Sequence, residues 1–86
     1  MAATPDVVMR RLDDTLDNHM ATEKQIKGAF IGAGYGAKKV QKWWDFYTSP
    51  GVRYIRPVVK SGFPLKDVEG NQLYWSEYWP RPEAVE

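Results

Sequence analysis

Residues 22–47 read TEKQIKGAFIGAGYGAKKVQKWWDFY, and this stretch decides the fold. Thr22-Glu23-Lys24-Gln25 is a capping box, in which the threonine oxygen accepts from the Gln25 amide and the glutamine side chain reaches back to the Thr22 amide. A helix therefore starts here. Ile26, Ala29, Phe30 and Ala33 recur on its buried side, with Lys24 and Lys27 outside. Gly32-Ala33-Gly34-Tyr35-Gly36 ends it, because glycine enters the left-handed conformation of a helix terminus without steric cost. A further helix runs from Ala37 to Tyr47, with Val40, one of Trp43 and Trp44, and Tyr47 facing inward. Helix, glycine-containing turn and basic helix form the outline of a helix-turn-helix, whose second helix enters the major groove of DNA.

Upstream, Thr4-Pro5-Asp6 has the grammar of a helix start: a hydroxyl N-cap, proline at the first position and an acid in the first turn. Val8, Leu12, Leu16 and Met20 then recur every four residues, with Met9 beside them, and predict an amphipathic helix over 4–20. Asp13, Asp14 and Asp17 face away as a solvated surface. His19, near the predicted end, is expected to meet the C-terminal carbonyls of that helix rather than a metal. Downstream, residues 52–79 read as strands and a wing. Val52 to Lys60 suits a strand, which Pro57 confines to an edge or breaks, and Ser61-Gly62-Phe63-Pro64 is a turn. Asp67 to Trp75 reads as two short strands around a Glu69-Gly70-Asn71 tip, and residues 80–86 form a tail. The expected class is α+β: three N-terminal helices containing a helix-turn-helix, then a short β-hairpin wing and an extended aromatic C-terminal tail.

A chain of 86 residues without cysteine and with one histidine excludes a good deal. There is material for one small domain, and none for a disulfide framework, a thiolate zinc site or a cysteine nucleophile. Ser49, Ser61 and Ser76 lack a plausible base nearby, and the glycine run lacks the preceding strand or the Lys-Ser/Thr pair of a nucleotide loop. Neither an enzyme nor a cofactor is expected. The longest apolar-leaning stretch, Gly28 to Ala37, is interrupted by glycines and falls short of the ~20 residues a membrane helix needs. Acids in the first twenty residues suit neither a signal nor a transit peptide, so a cytoplasmic or virion-associated protein is expected.

A net charge of +1 conceals strong segregation: residues 1–23 carry −3, residues 24–66 carry +8 and residues 67–86 carry −4. Fields act locally, since charges beyond roughly 8–10 Å are screened at physiological salt. A basic block can therefore bind phosphate in a nearly neutral protein. Lys38, Lys39 and Lys42 are the expected groove-facing cations, Gln41 can pair bidentately with adenine, and Tyr35 can donate to a phosphate. Arg53, Arg56 and Lys60 extend the block. The leading expectation is a non-enzymatic module that binds double-stranded DNA.

Thr22-Glu23-Lys24-Gln25-Ile26, Val40-Gln41-Lys42-Trp43, Gly62-Phe63-Pro64 and Gly70-Asn71-Gln72-Leu73-Tyr74 together resemble the winged-helix layout of small phage excisionases, terminase small-subunit DNA-binding domains and MerR-type regulators. The resemblance spans about fifty residues. It implies a Trp-containing recognition helix bearing Lys38, Lys39, Gln41 and Lys42, and a wing whose tip, Gly70, Asn71 and Gln72, meets the neighbouring minor groove or backbone. It also implies a phage or plasmid accessory or regulatory factor.

The aromatics support a rival reading. All twelve lie at or after Phe30, and the adjacent Trp43 and Trp44 point about 100° apart on one helix, which makes both hard to bury. The chain is then an interaction or self-associating subunit that docks on a larger assembly through Trp44, Tyr74, Trp75, Tyr78 and Trp79, residue types that dominate interface hot spots. Within the chain, Trp43 and Trp75 are expected to close the core while Trp44 and Trp79 cover its rim.

Overall fold

The computed structural model describes residues 4–84. Helix α1 (Pro5–Asp13) opens at Pro5 as the sequence predicts, but the Thr4 side chain makes no capping hydrogen bond. The helix ends at Asp13, seven residues before Met20. Thr15 is the reason: its hydroxyl donates to the Leu12 carbonyl at 2.7 Å and its amide to the same oxygen at 2.9 Å. Asp14, Asp17 and Asn18 follow, residues that compete for backbone hydrogen bonds and, where acidic, oppose the helix dipole at a C-terminus. His19 takes φ +55° and its Nδ1 lies 2.7 Å from the Asp13 carboxylate, so it meets an acid rather than the expected helix carbonyls. That contact closes the loop back onto α1.

Two residues, β1 (Ala21–Thr22), then lead directly into α2 (Glu23–Gly32). The capping box forms as read: Thr22 donates its amide to Gln25 Oε1 at 2.9 Å, and the Gln25 amide donates to Thr22 Oγ1 at 3.2 Å. Helix α3 (Ala37–Tyr47) follows, then strands β2 (Ile55–Pro57), β3 (Val59–Lys60), β4 (Phe63–Pro64) and β5 (Leu73–Ser76). The class is α+β. Strands β1, β5 and β2 form an antiparallel sheet in that order, with Ala21 opposite Tyr74 and Arg56 opposite Trp75. Strand β2 is an edge, where Pro57 removes no ladder donor.

The core gathers Val8 and Met9 from α1, Ala21, Ile26, Phe30, Val40, Trp44, Ile55 and Trp79. The expected division of tryptophans is reversed. Trp44 is buried and meets Tyr74 edge-on at 4.8 Å, and Trp79 is only 4% exposed. The Trp79 indole N–H donates to the Met9 carbonyl at 2.8 Å, joining the chain's late segment to α1. Trp43 and Trp75 lie at the rim, half-buried. The segment read as an extended tail instead folds back: Pro82 is fully buried and Ala84 nearly so, while its last two residues lie outside the described ones.

Between β2 and β5 the chain makes a second, smaller sheet. Strands β3 and β4 pair Val59 with Pro64 and Lys60 with Phe63 around a two-residue turn. Ser61 and Gly62 both have positive φ, +53° and +81°, as a type I′ hairpin requires. The sequence reading saw only a turn here. The base of this hairpin is tied by a ring of backbone bonds: Val58 N–H to Leu73 O, Leu65 N–H to Val58 O, and Leu73 N–H to Leu65 O, at 2.9–3.0 Å. Gln72 sits over the ring, its Nε2 within 2.9–3.2 Å of the carbonyl oxygens of Val58, Leu65 and Leu73.

Candidate nucleic-acid interface

The link between α2 and α3 fixes where the basic helix points. The Gly34 amide donates to the Ile31 carbonyl and the Tyr35 amide to the Phe30 carbonyl, with Gly34 at φ +105°. That is a Schellman ending, and its usual apolar contact is present between the Tyr35 and Phe30 rings, 5.9 Å apart. Trp43 completes a triangle with them, 5.4 Å from Phe30 and 4.5 Å from Tyr35. Tyr35 is thus half-buried between two helices. Behind α3, Val40 and Trp44 enter the core.

The opposite face of α3 is open. Lys38, Lys39 and Lys42 are exposed and fall within about a 100° arc, with Gln41 and Asp45 at its flank. None of the three lysines makes an ion pair among the described residues. The Lys39 ammonium lies over the Trp43 and Tyr35 rings, 5.1 and 5.6 Å from their centroids, so its position is constrained while its charge is not neutralised. The charge order along α3 is the reverse of what helix stability favours: the first turn holds Lys38 and Lys39 and no acid, and Asp45 lies toward the C-terminal end.

Gln41 is exposed but engaged. Its Oε1 accepts from Lys27 Nζ at 2.6 Å and its Nε2 donates to Asp45 at 3.0 Å. Lys27 also pairs with Glu23 at 2.6 Å, so a polar chain ties α2 to α3 and the Gln41 amide must release both partners before it can read a base.

The remaining predicted contacts divide. Arg53 is exposed at φ +52° in the loop after α3, and Lys60 is exposed on β3; neither is paired among the described residues. Arg56 is already engaged: it pairs with Glu77, and its guanidinium lies 4.4 Å from the Trp75 ring centroid. Its charge is already answered. Gln72 is engaged as well, its amide nitrogen turned onto three carbonyls at the hairpin's base. Asn71 is exposed, but its amide and side chain both approach Asp67, whose Oδ1 also accepts from the Glu69 amide at 2.9 Å. The Asn71 backbone amide holds the Asp67 carboxyl below its usual value against an opposing effect of burial, with lesser help from the Asn71 side chain and the amides of Glu69 and Gly70. The expected turn at Glu69-Gly70-Asn71 is present, organised by Asp67 and closed by an antiparallel bridge between Lys66 and Gln72, with Gly70 at φ +87°; a second turn, Ser61-Gly62, is flanked by Lys60 and Phe63.

Of the predicted docking residues, Trp44 and Trp79 are corrected to core positions. Tyr74 and Trp75 are half-buried, the latter donating its indole N–H to the Pro80 carbonyl at 3.2 Å. Tyr78 alone is well exposed, at 42%. It ends a row of rings that the sequence reading missed, running Phe46, Tyr47, Tyr54, Tyr78 with centroids 4.7–5.4 Å apart. Burial raises the Tyr47 phenol above its usual value, with Tyr78 and Tyr35 adding to the shift. The Tyr54 hydroxyl is buried and has no hydrogen-bond partner among the described residues. Also missed were Phe63, 74% exposed, and the exposed Lys66; the Ser61-Gly62 dipeptide after Val58-Val59 was the available signal.

No helix among the described residues is long and apolar enough to cross a membrane, and no three of their histidine and acidic side chains gather as a metal site. Comparison of the chain with protein-family models, with curated proteins and with solved structures finds no match.

Proposed function

We propose that this protein is a non-enzymatic module that binds double-stranded DNA as a winged helix, serving as an accessory or regulatory factor of the kind phage and plasmid systems use. The observation that carries the reading is the outer face of α3, where three lysines stand unpaired among the described residues on a helix whose back is packed into the core. The arrangement of elements supports it: β1 leads into two helices joined by a short glycine turn, and β2 and β5 complete the three-stranded sheet with the β3–β4 hairpin between them in sequence. In this reading α3 is the recognition helix and β3–β4 the wing. Lys38, Lys39 and Lys42 supply phosphate contacts from the helix, and Arg53 and Lys60 supply others from the loop and the wing. Gln41 reads bases once the duplex displaces both Lys27 and Asp45 from its amide.

About five phosphates are then neutralised. Each releases condensed counterions, so the logarithm of affinity falls with the logarithm of salt at a slope of roughly −4.5. A mobility-shift series on duplex DNA measures it. A slope between about 0 and −1, or no shifted complex at low salt, contradicts the reading.

One observation favours a second reading, in which the chain docks on a protein partner. The row from Phe46, 58% exposed, to Tyr78, 42% exposed, offers an aromatic surface of the residue types that anchor interfaces. This surface replaces the Trp44 and Trp79 anchors that the sequence suggested.

A further inference from the structure

Phe63 is a large apolar side chain that the fold leaves uncovered. It is 74% exposed although a phenylalanine side chain gains more from burial than almost any other, and it stands beside a tight turn at the far end of the hairpin. Its cross-strand partner is Lys60. Directly opposed residues of an antiparallel pair project from the same face, so a cation and an unburied ring leave the hairpin together. Beneath them the structure is firm: Val58 is completely buried, and the backbone ring capped by Gln72 fixes the hairpin to β5. The type I′ turn adds only two residues, which leaves little freedom at the tip.

A rigid, narrow, two-stranded projection ending in an aromatic ring beside an ammonium group has the shape and charge of a minor-groove wedge. Proteins that enter this groove insert apolar side chains between base steps, partly unstack them and kink the duplex by roughly 20–90°. The adjacent cation meets the phosphates that line the groove. The nearest acids in sequence, Asp67 and Glu69, lie at the other turn, where Asp67 is held by the Glu69 and Asn71 amides. We infer that the β3–β4 hairpin bends DNA by inserting Phe63 between base pairs in the minor groove, with Lys60 anchoring the flanking backbone.

This inference rests on the DNA-binding reading and deepens it, so the test separates the two. The full chain is mixed with a duplex of roughly 30 base pairs containing TA and CA steps, which unstack most easily, labelled with fluorophores at its ends and with 2-aminopurine at the flexible steps. Binding by the unaltered chain should shorten the end-to-end distance and brighten the 2-aminopurine as it unstacks. Phe63→Ala should still bind, with affinity reduced about tenfold or less, but without either signal. Phe63→Leu, which preserves an apolar wedge, should retain both. Circular dichroism confirms that each variant is folded, as expected for a residue outside the core. If the unaltered chain forms no complex with the duplex, the DNA-binding reading itself fails. If it binds with the expected salt slope but leaves the duplex straight, or if Phe63→Ala bends it equally well, only the wedge is overturned.

Discussion

Replacing Lys38, Lys39 and Lys42 together by alanine is expected to lower affinity for duplex DNA by about a hundredfold or more near 0.1 M salt, and to reduce the salt slope from roughly −4.5 to roughly −2. The magnitude follows from removing three phosphate contacts, each contributing about 0.9 to the slope. The fold should be untouched. All three side chains are exposed, none is in an ion pair among the described residues, and alanine is the better helix former. Removing Lys38 and Lys39 from the first turn also relieves their repulsion by the positive end of the helix dipole, which offsets the loss of the Lys39 contacts with the Trp43 and Tyr35 rings, so the unfolding midpoint should stay about level. A variant that loses binding and stability together would instead mark these lysines as structural. Arg56→Ala provides the contrast: it should leave the salt slope nearly unchanged, because Glu77 already holds that guanidinium.

The largest stability effect is expected at Trp79. Truncation to alanine removes a buried indole and leaves a cavity, a change that typically costs about 3–5 kcal/mol. A domain of this size has a total stability of about the same magnitude, so Trp79→Ala should be largely unfolded at room temperature. Trp79→Phe separates the contributions. It keeps an aromatic body in the core but removes the indole donor from the Met9 carbonyl, which still accepts within α1, so the change should cost roughly 0.5–1.5 kcal/mol. Urea unfolding followed by circular dichroism reads both. Trp75→Ala, at the half-buried rim, should cost distinctly less. A Trp79→Ala protein as stable as the unaltered chain would mean that the segment after β5 does not close the core.

The comparison of tryptophans shows where sequence reading stops. The adjacency of Trp43 and Trp44 establishes that they point in different directions, but not which one faces the sheet. That depends on the angle at which α3 leaves the Gly34 turn, and on Tyr74 arriving from more than twenty residues away in the chain. Local grammar was more informative. The capping box at Thr22 and the glycine ending at Gly34 each consist of a few neighbouring residues whose hydrogen bonds close on themselves, so α2 and the start of α3 could be read directly. The α1 pattern misled because Leu16 still packs against the core from a non-helical turn, preserving the apolar spacing after the helix has stopped.

For the candidate interface the same division holds. Lys38, Lys39 and Lys42 were legible because helical periodicity alone turns them away from Val40 and Trp44. Arg56 and Gln72 were not: each points toward chain segments distant in sequence, Glu77 for one and the Val58 and Leu65 carbonyls for the other. The hairpin tip escaped notice because strands of two residues show no alternation. Its sequence signal is little more than Ser61-Gly62.

The footprint of duplex DNA on the protein's amide resonances puts the central proposal to its most direct trial. Titration should shift Lys38, Lys39, Gln41 and Lys42 on α3 together with Lys60 to Phe63 on the hairpin, and leave α1 and the segment around Trp79 unmoved. Shifts confined to the Phe46-to-Tyr78 row, or no shifts at low salt, would contradict it.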